Sequence, residues 1–130
     1  EELFYKINQK PGKPLFFGKK DSTLIFALPG NPASSLTCFY VYVLPALKKM
    51  LGLELVHIPK IKRKINVDFQ NTTGKSLFLK GFYSDENVEV LESQSSAMLN
   101  TFAVANGFVF IPYDCSIIKK NQEVVVLPFK

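Results

Sequence analysis

Three lysines bracket a stiff loop near the start of the chain. Lys6, Lys10 and Lys13 occur in the stretch KINQKPGKP, where prolines and a glycine surround the last two. Pro11 fixes its own φ and restricts Lys10 to an extended conformation. The loop therefore presents ammonium groups at low entropic cost, which suits a phosphate, a pyrophosphate or another oxyanion. A solvated basic loop is the alternative interpretation.

A corner of the chain at ALPGNPASS, residues 27–35, is a second candidate anion site. An apolar run precedes it, and a segment with apolar residues at helical spacing follows it. Asn31 suits the N-cap, and Pro32 suits the first helical position. Backbone N–H groups at a helix start have no intrahelical partner, and the helix dipole favours negative charge. The alternative is a strand-to-helix turn that only packs.

The remaining reactive side chains do not suggest a catalytic centre. His57 is the only histidine, so it indicates neither a metal site nor a catalytic triad. Cys38 and Cys115 are expected to be reduced thiols, as in a cytoplasmic protein. Ser95 or Ser96 either caps the helix predicted to follow or offers a hydroxyl to a bound anion.

The densest positive segment is KIKRK at residues 60–64. We interpret it as a solvated strand face or as an edge strand protected by lysines. No aromatic residue alternates with its charges, as stacking on a single-stranded nucleic acid would require. The net charge of +5 favours anionic ligands without marking a nucleic-acid-binding protein. No stretch approaches the ~18 apolar residues of a membrane span, so neither nucleic acid nor membrane is an expected partner.

The first part of the chain is predicted to contain short strands separated by turns, followed by a helix. Residues 3–9 and 15–18 are predicted strands, and residues 23–28 are predicted to be a short buried strand. Apolar residues at three- and four-residue spacing predict a helix from Pro32 onward. Pro45 should kink or divide this helix, and a glycine at position 52 should end it.

The pattern changes to strands after this helix. From about residue 57, apolar residues at alternate positions predict a β-rich module that continues to the end of the chain. One short helix is predicted at residues 97–107, with Gly107 as its cap. Hydrophobic residues make up 47% of the chain, which is enough for a packed core.

Four motifs resemble, in this order, the C-terminal part of the molybdopterin molybdotransferases, the MoeA family, which includes the E domain of gephyrin. They are KPGKPLFFG, ALPGNPASS, GKSLFLKG and SSAMLNTFAVANGFVFIP. In the third motif Lys75 and Lys80 stand where the family has arginines. Lysine cannot form the bidentate hydrogen bonds that an arginine guanidinium makes to an anion. In the fourth, Ser95 stands where the family usually has glycine. The resemblance covers nearly the whole chain.

The resemblance implies a fold of class α/β plus all-β. Residues 1–54 would be the C-terminal part of a MogA-like three-layer α/β domain that binds molybdopterin. Residues 55–130 would form the small barrel-like β domain found at the C-terminus of the MoeA family.

The family's reaction is insertion of molybdate into the dithiolene of adenylated molybdopterin, with release of AMP and help from Mg²⁺. The resemblance therefore implies a cytoplasmic, homodimeric transferase of molybdenum cofactor biosynthesis, with the molybdopterin adenylyltransferase as a candidate partner. The family's acidic, metal-binding residues fall upstream of residue 1, so this stretch alone is expected to be inactive. The alternative is a non-catalytic scaffold or peptide-binding module on the same fold.

Carried over residue by residue, the resemblance assigns catalytic roles to Lys6 and Lys10. Their ammonium groups would hold the phosphates of the adenylate or the incoming molybdate. Two prolines would shape the pocket, and four further residues would contact the substrate. These six residues are Pro29, Pro32, Gly30, Asn31, Ser34 and Ser96. No metal ligand is assigned within the chain.

Overall fold

The computed structural model describes residues 1–92, 94–95 and 99–130. The first part of the chain contains four strands and a helix that is interrupted once. These elements are β1 (Glu2–Tyr5), β2 (Gln9–Lys10), β3 (Phe16–Lys20), β4 (Thr23–Ala27), α1 (Pro32–Cys38), a π-helical turn (Phe39–Val43) and α2 (Leu44–Met50).

Three of these strands form an antiparallel sheet in the order β1-β3-β4. The single strand predicted over residues 3–9 is wrong, because Lys6 has a φ of +62° and separates β1 from β2. The buried strand predicted at residues 23–28 is also only partly right. β4 lies at the edge of the sheet, and its residues alternate between exposed and half-buried.

The interrupted helix confirms the prediction made from Pro45. Proline has no N–H to donate and crowds the preceding turn, and the π-helical turn directly precedes α2, which carries Pro45 near its start. Gly52 has a φ of +79° just past the helix, as a glycine C-cap requires. Lys48 and Lys49 in the last turn suit the negative end of the helix dipole.

The described residues of the second part of the chain form seven strands and one short helix. They are β5 (Ile61–Ile65), β6 (Phe69–Gln70), β7 (Ser76–Tyr83), β8 (Asn87–Val90), α3 (Thr101–Val104), β9 (Gly107–Ile111), β10 (Ile117–Ile118) and β11 (Glu123–Pro128). The helix predicted over 97–107 is shorter than expected: Gly107 begins β9 instead of capping the helix. Residues 96–98 lie outside the described part of the chain.

Five of these strands close into a barrel. The order is β7-β8-β5-β11-β9, and β7 also pairs with β9, which completes the ring. Of the two interpretations of residues 60–64, the edge strand is wrong, because β5 pairs with both β8 and β11. Lys62 and Lys64 are exposed as expected for a solvated face. Arg63 instead packs over the Tyr83 ring at 5.7 Å and donates to the Ser84 carbonyl.

Two apolar clusters occupy the two faces of the barrel wall, because side chains of a strand alternate between faces. The cluster inside the barrel consists of Ile65, Leu77, Leu79, Val88, Val109, Ile111, Ile118, Val124 and Val126. The outer cluster joins the barrel to the helix of the first part. Its buried members are Ala33, Phe78, Phe102, Phe108 and Leu127, with Leu36, Tyr40, Val41, Phe110 and Phe129 packed around them.

The architecture confirms the predicted fold class of α/β plus all-β with a barrel-like module. The division of the chain after residue 54 remains a prediction. Among the residues that the structure describes, none belongs to a helix long and apolar enough to cross a membrane.

A substitution at Phe108 tests the packing of the outer cluster. That side chain is fully buried, and its ring contacts those of Tyr40, Phe78, Phe102 and Phe129. We expect Phe108→Ala to lower the free energy of unfolding by about 3–5 kcal/mol, because burial is lost and a cavity remains. The half-exposed Phe82 in β7 provides the matched control, and Phe82→Ala should cost about 1 kcal/mol or less. Urea unfolding measures both, and equal costs would contradict this packing.

Candidate functional site

The two parts of the chain are joined by backbone hydrogen bonds next to the lysine loop. β2 pairs in parallel with β7, so that Gln9 lies opposite Ser76 and Lys10 opposite Leu77. The Ser76 N–H donates to the Asn8 carbonyl at 3.0 Å, and the Asn8 amide donates to the Gly74 carbonyl at 2.9 Å. Through this pairing Lys10 in β2 and Lys75 directly before β7, which are 65 positions apart in the sequence, come to line one cavity.

A cavity of about 240 Å³ lies at this junction, and we call it the anion cavity. The lysine loop, the corner at residues 29–34 and two positions of the second part line it. The lining residues are Gln9, Lys10, Pro11, Gly12, Lys13, Pro14, Pro29, Asn31, Ser34, Lys75 and Gln94. Among the residues that the structure describes, the lining includes three lysines and no carboxylate. The cavity is therefore suited to an anion and unsuited to a cation such as Mg²⁺.

Gln9 fixes the lysine loop from behind. Its side chain is buried, and its Nε2 donates to the Pro11 carbonyl at 3.0 Å. The Tyr42 hydroxyl donates to Gln9 Oε1 from the π-helical turn. Burial raises the pKa of Tyr42 to about 12, and the neighbouring Cys38 adds to this rise. The phenol is therefore protonated at neutral pH and serves as the donor.

Gly12 allows the loop to pack directly against the helix. Its φ is +96°, and a Cβ there would lie 2.5 Å from Cys38 Sγ and 2.9 Å from Gln9 Nε2. Cys38 is fully buried, and burial raises its thiol pKa to about 11. Cys38 and Cys115 are both free thiols, as the sequence predicted. Cys38 therefore acts as a packing residue under the loop.

Four of the predicted site residues lie together in the anion cavity: Lys10, Pro29, Asn31 and Ser34. Asn31 occupies the N-cap of α1, as predicted, but its side chain makes no capping hydrogen bond. Pro32 takes the first helical position. With Gly30, it lines a neighbouring cavity of about 470 Å³ on the outer side of the corner.

Lys6, like Gly30 and Pro32, does not contribute to the lining of the anion cavity. Lys6 is exposed and has its ammonium 5.2 Å from the centroid of the Tyr5 ring. Ser96 lies outside the described residues. The roles assigned to Lys6 and Ser96 remain predictions.

Lys75 is the cavity lysine that the sequence reasoning left without a role. Its place in the motif GKSLFLKG marked it as a candidate, but nothing in that motif showed which of the two lysines faces the lysine loop. The structure separates them, because Lys75 lines the anion cavity and Lys80 does not. Lys80 is buried, donates to the Ser95 carbonyl at 3.2 Å and lies 5.6 Å from the Phe102 ring. Burial also lowers the pKa of its ammonium.

Gln94 was also missed, and it belongs to the wall between two cavities. Its Oε1 accepts from the Lys80 N–H at 2.8 Å, and its Nε2 donates to the Lys80 carbonyl at 2.9 Å. A second cavity, of about 290 Å³, shares Gln94, Lys10 and Pro11 with the anion cavity and extends to the turn at residues 70–73. Across the described ranges, no three His, Cys, Asp or Glu residues are grouped as metal ligands would be.

The fold and the anion cavity define a class of protein in which an α/β part and a small β-barrel share one lysine-lined site. Residues 62–129 match the family described as MoeA C-terminal region (domain IV). Residues 1–49 match the family described as probable molybdopterin binding domain. The chain belongs to the MoeA family, which confirms the resemblance seen in the sequence motifs.

Individual relatives agree with this assignment. A molybdopterin molybdenumtransferase of Haemophilus influenzae is 30% identical over 97% of this chain and 33% of its own length. A gephyrin of Dictyostelium discoideum is 28% identical over 93% of this chain and 21% of its own length. A crystal structure of a Pyrococcus horikoshii molybdopterin biosynthesis MoeA protein superimposes with a TM-score of 0.85 at 27% identity, covering 98% of this chain and 32% of that one. The chain thus spans a third or less of the length of these relatives.

The close packing at Gly12 gives a prediction with an internal control. Gly12 and Gly52 both have positive φ, but a Cβ at Gly52 would meet no atom within 4 Å. Gly52→Ala should therefore cost only the backbone strain, about 1–2 kcal/mol. Gly12→Ala should cost about 1–3 kcal/mol more, because its methyl group overlaps Cys38 and Gln9. Chemical denaturation of both variants checks this, and a Gly12 variant no less stable than the Gly52 variant would refute it.

Proposed function

We propose that this chain is the C-terminal part of a molybdopterin molybdotransferase, which inserts molybdate into adenylated molybdopterin and releases AMP. The observation that carries the proposal is the anion cavity, which takes its lining from both family regions. Lys10 and Lys13 come from the first region and Lys75 from the second. A site built this way forms only when both regions are folded against each other.

The chemistry of the lining suits an oxyanion. Each lysine ammonium is a compact charge with three N–H donors, and such groups bind phosphate and similar anions as point charges. Pro29 forms a rigid wall, while Asn31 and Ser34 provide short polar side chains beside the ammonium groups. In the proposed role, Lys10 holds the phosphate of the adenylate or the incoming molybdate. The site thereby stabilises negative charge where the transfer takes place.

The other predicted site residues are proposed to have supporting roles. We propose that Lys6 reaches the same anion through its flexible stem, leaving the Tyr5 ring when substrate binds. Gly30 and Pro32 shape the outer side of the corner, and Ser96 contributes its hydroxyl from the second part. These roles follow from the family resemblance, and the variants below test the two lysines.

The metal and the remaining machinery are proposed to lie elsewhere in the parent protein. Mg²⁺ is held by oxygen ligands, mainly carboxylates, and the described residues that line the anion cavity include no carboxylate, so no step of the proposed reaction is assigned to Mg²⁺ in this chain. We propose that the acidic residues belong to the rest of a homodimeric cytoplasmic enzyme, with the molybdopterin adenylyltransferase as a partner. The 130 residues alone would then be inactive.

A non-catalytic scaffold or peptide-binding module is the second candidate. A cavity of about 510 Å³ between the helix and the outer barrel wall supports it. This cavity is lined mainly by apolar side chains, with His57 and Lys60 as its basic members. Such a lining is typical of a pocket for an apolar side chain near an acidic group. This candidate would be favoured if the parent protein bound a specific protein partner and had no role in molybdenum metabolism.

Complementation tests the proposed function. The full-length protein carrying this chain is expressed in a bacterial strain that lacks its molybdotransferase, and nitrate reductase activity is measured. Wild type should restore activity. Lys10→Ala should lower it about 10- to 100-fold, because a charge-assisted hydrogen bond is lost, and Lys6→Ala should also lower it. Lys49→Ala, an exposed lysine at the end of α2, is the matched control and should behave as wild type.

The outcomes separate the enzyme from the site assignment. Failure of well-expressed wild type to restore activity would contradict the proposed function and favour the scaffold. If wild type and every lysine variant restored activity, the proposed enzyme function would stand, but the roles assigned to Lys6 and Lys10 would be refuted. Detectable transferase activity from the 130 residues alone would overturn the proposed inactivity.

A further inference from the structure

The turn that carries Lys75 is held by two polar side chains that do not line the anion cavity. It connects β6 to β7, and Asn71 at its start is buried, with 6% of its surface exposed. The Asn71 Oδ1 accepts from the Thr73 N–H at 3.1 Å and from the Thr73 hydroxyl at 2.7 Å. Thr73 is thus fixed through both its backbone and its side chain.

Lys75 is the residue that these two side chains hold. Its N–H donates to Thr73 Oγ1 at 3.1 Å, and its carbonyl accepts from Asn71 Nδ2 at 2.9 Å. The Thr73 hydroxyl therefore donates to Asn71 and accepts from Lys75, which closes a ring of hydrogen bonds. Both polar groups of the Lys75 backbone are fixed, while its side chain lines the anion cavity.

The same turn is attached to the chain on two sides. The Asn71 N–H donates to the Ser116 carbonyl at 2.8 Å, next to β10. The Gly74 carbonyl accepts from the Asn8 amide at 2.9 Å, two residues before Lys10. The turn is thus connected both to the barrel module and to the strand that carries the other cavity lysine.

We propose that Asn71 and Thr73 are positioning residues that set the place of the Lys75 ammonium in the anion cavity; this rests on the proposed function. Lysine has a long, flexible side chain, so binding through it costs conformational entropy. Fixing the Lys75 backbone at both polar groups removes the backbone part of this cost before the anion arrives and sets the point from which the side chain extends. Neither Asn71 nor Thr73 needs to touch the anion for this effect.

A double-mutant cycle with molybdate as the probe tests the proposal. Calorimetry measures molybdate binding to the full chain in wild type, Lys10→Ala, Lys75→Ala, Thr73→Val, Thr73→Ser and the Lys75→Ala/Thr73→Val double variant. Thr73→Val removes the hydroxyl at nearly constant shape and should weaken binding about 3- to 10-fold. Thr73→Ser keeps the hydroxyl and should bind as wild type. In the Lys75→Ala background, Thr73→Val should have no further effect, because it acts through Lys75.

Hydrogen exchange gives a second readout that needs no ligand. The Lys75 amide should exchange slowly in wild type and in Thr73→Ser, and faster in Thr73→Val. Fast exchange in folded wild type would overturn the inference without any variant. Thr73 is exposed, so its substitution leaves the core intact.

The outcomes distinguish this inference from the proposed function. If Lys75→Ala weakens molybdate binding but Thr73→Val does not, the positioning role is wrong and the anion cavity stands. An equal loss from Thr73→Val with and without Lys75 would also overturn it, because the effect would not pass through that lysine. If neither Lys75→Ala nor Lys10→Ala changes binding, the anion cavity itself is refuted.

Discussion

The parallel pairing of β2 with β7 is the contact on which the candidate site depends. It consists of only two residue pairs, Gln9 with Ser76 and Lys10 with Leu77, but it joins an element of the α/β part to the barrel. Without it, Lys10 and Lys75 would belong to separate surfaces. The hydrogen bonds from Tyr42 to Gln9 and from Asn8 to Gly74 hold the two sides of this pairing. The site is therefore a product of how the two parts meet rather than of either part alone.

Packing in the aromatic cluster also holds the two parts against each other. The rings of Phe108 on the barrel and Tyr40 on the helix contact each other at 6.3 Å, and the Phe129 ring contacts both, stacking on Tyr40 at 5.0 Å. Aromatic pairs contribute area burial and a preferred geometry together. On the other side of the helix, Gly12 lets the lysine loop approach Cys38 closely. The helix is thus fixed between the barrel and the loop, and the corner at its start is fixed with it.

Local sequence patterns predicted the parts of the site whose conformation is set locally. The prolines and glycines around Lys10 and Asn31 predicted a loop and a helix start, and both occur. Lys75 was missed because its position depends on a turn held by the Asn71 side chain, and no periodicity reports such hydrogen bonds. The edge-strand prediction for residues 60–64 failed for a related reason. Barrel closure places β5 between β8 and β11, and these pairings are distant in sequence.

The central claim is that one oxyanion binds between lysines of the two parts. Diffraction from crystals grown with molybdate, recorded at the molybdenum absorption edge, locates the metal atom directly. The account predicts an anomalous peak for molybdenum in the anion cavity. The oxygens of the bound molybdate should lie about 3 Å from the ammonium groups of Lys10 and Lys75, a charge-assisted hydrogen-bond distance. No peak in the anion cavity at saturating molybdate, or peaks only at surface lysines such as Lys62 and Lys64, would contradict it.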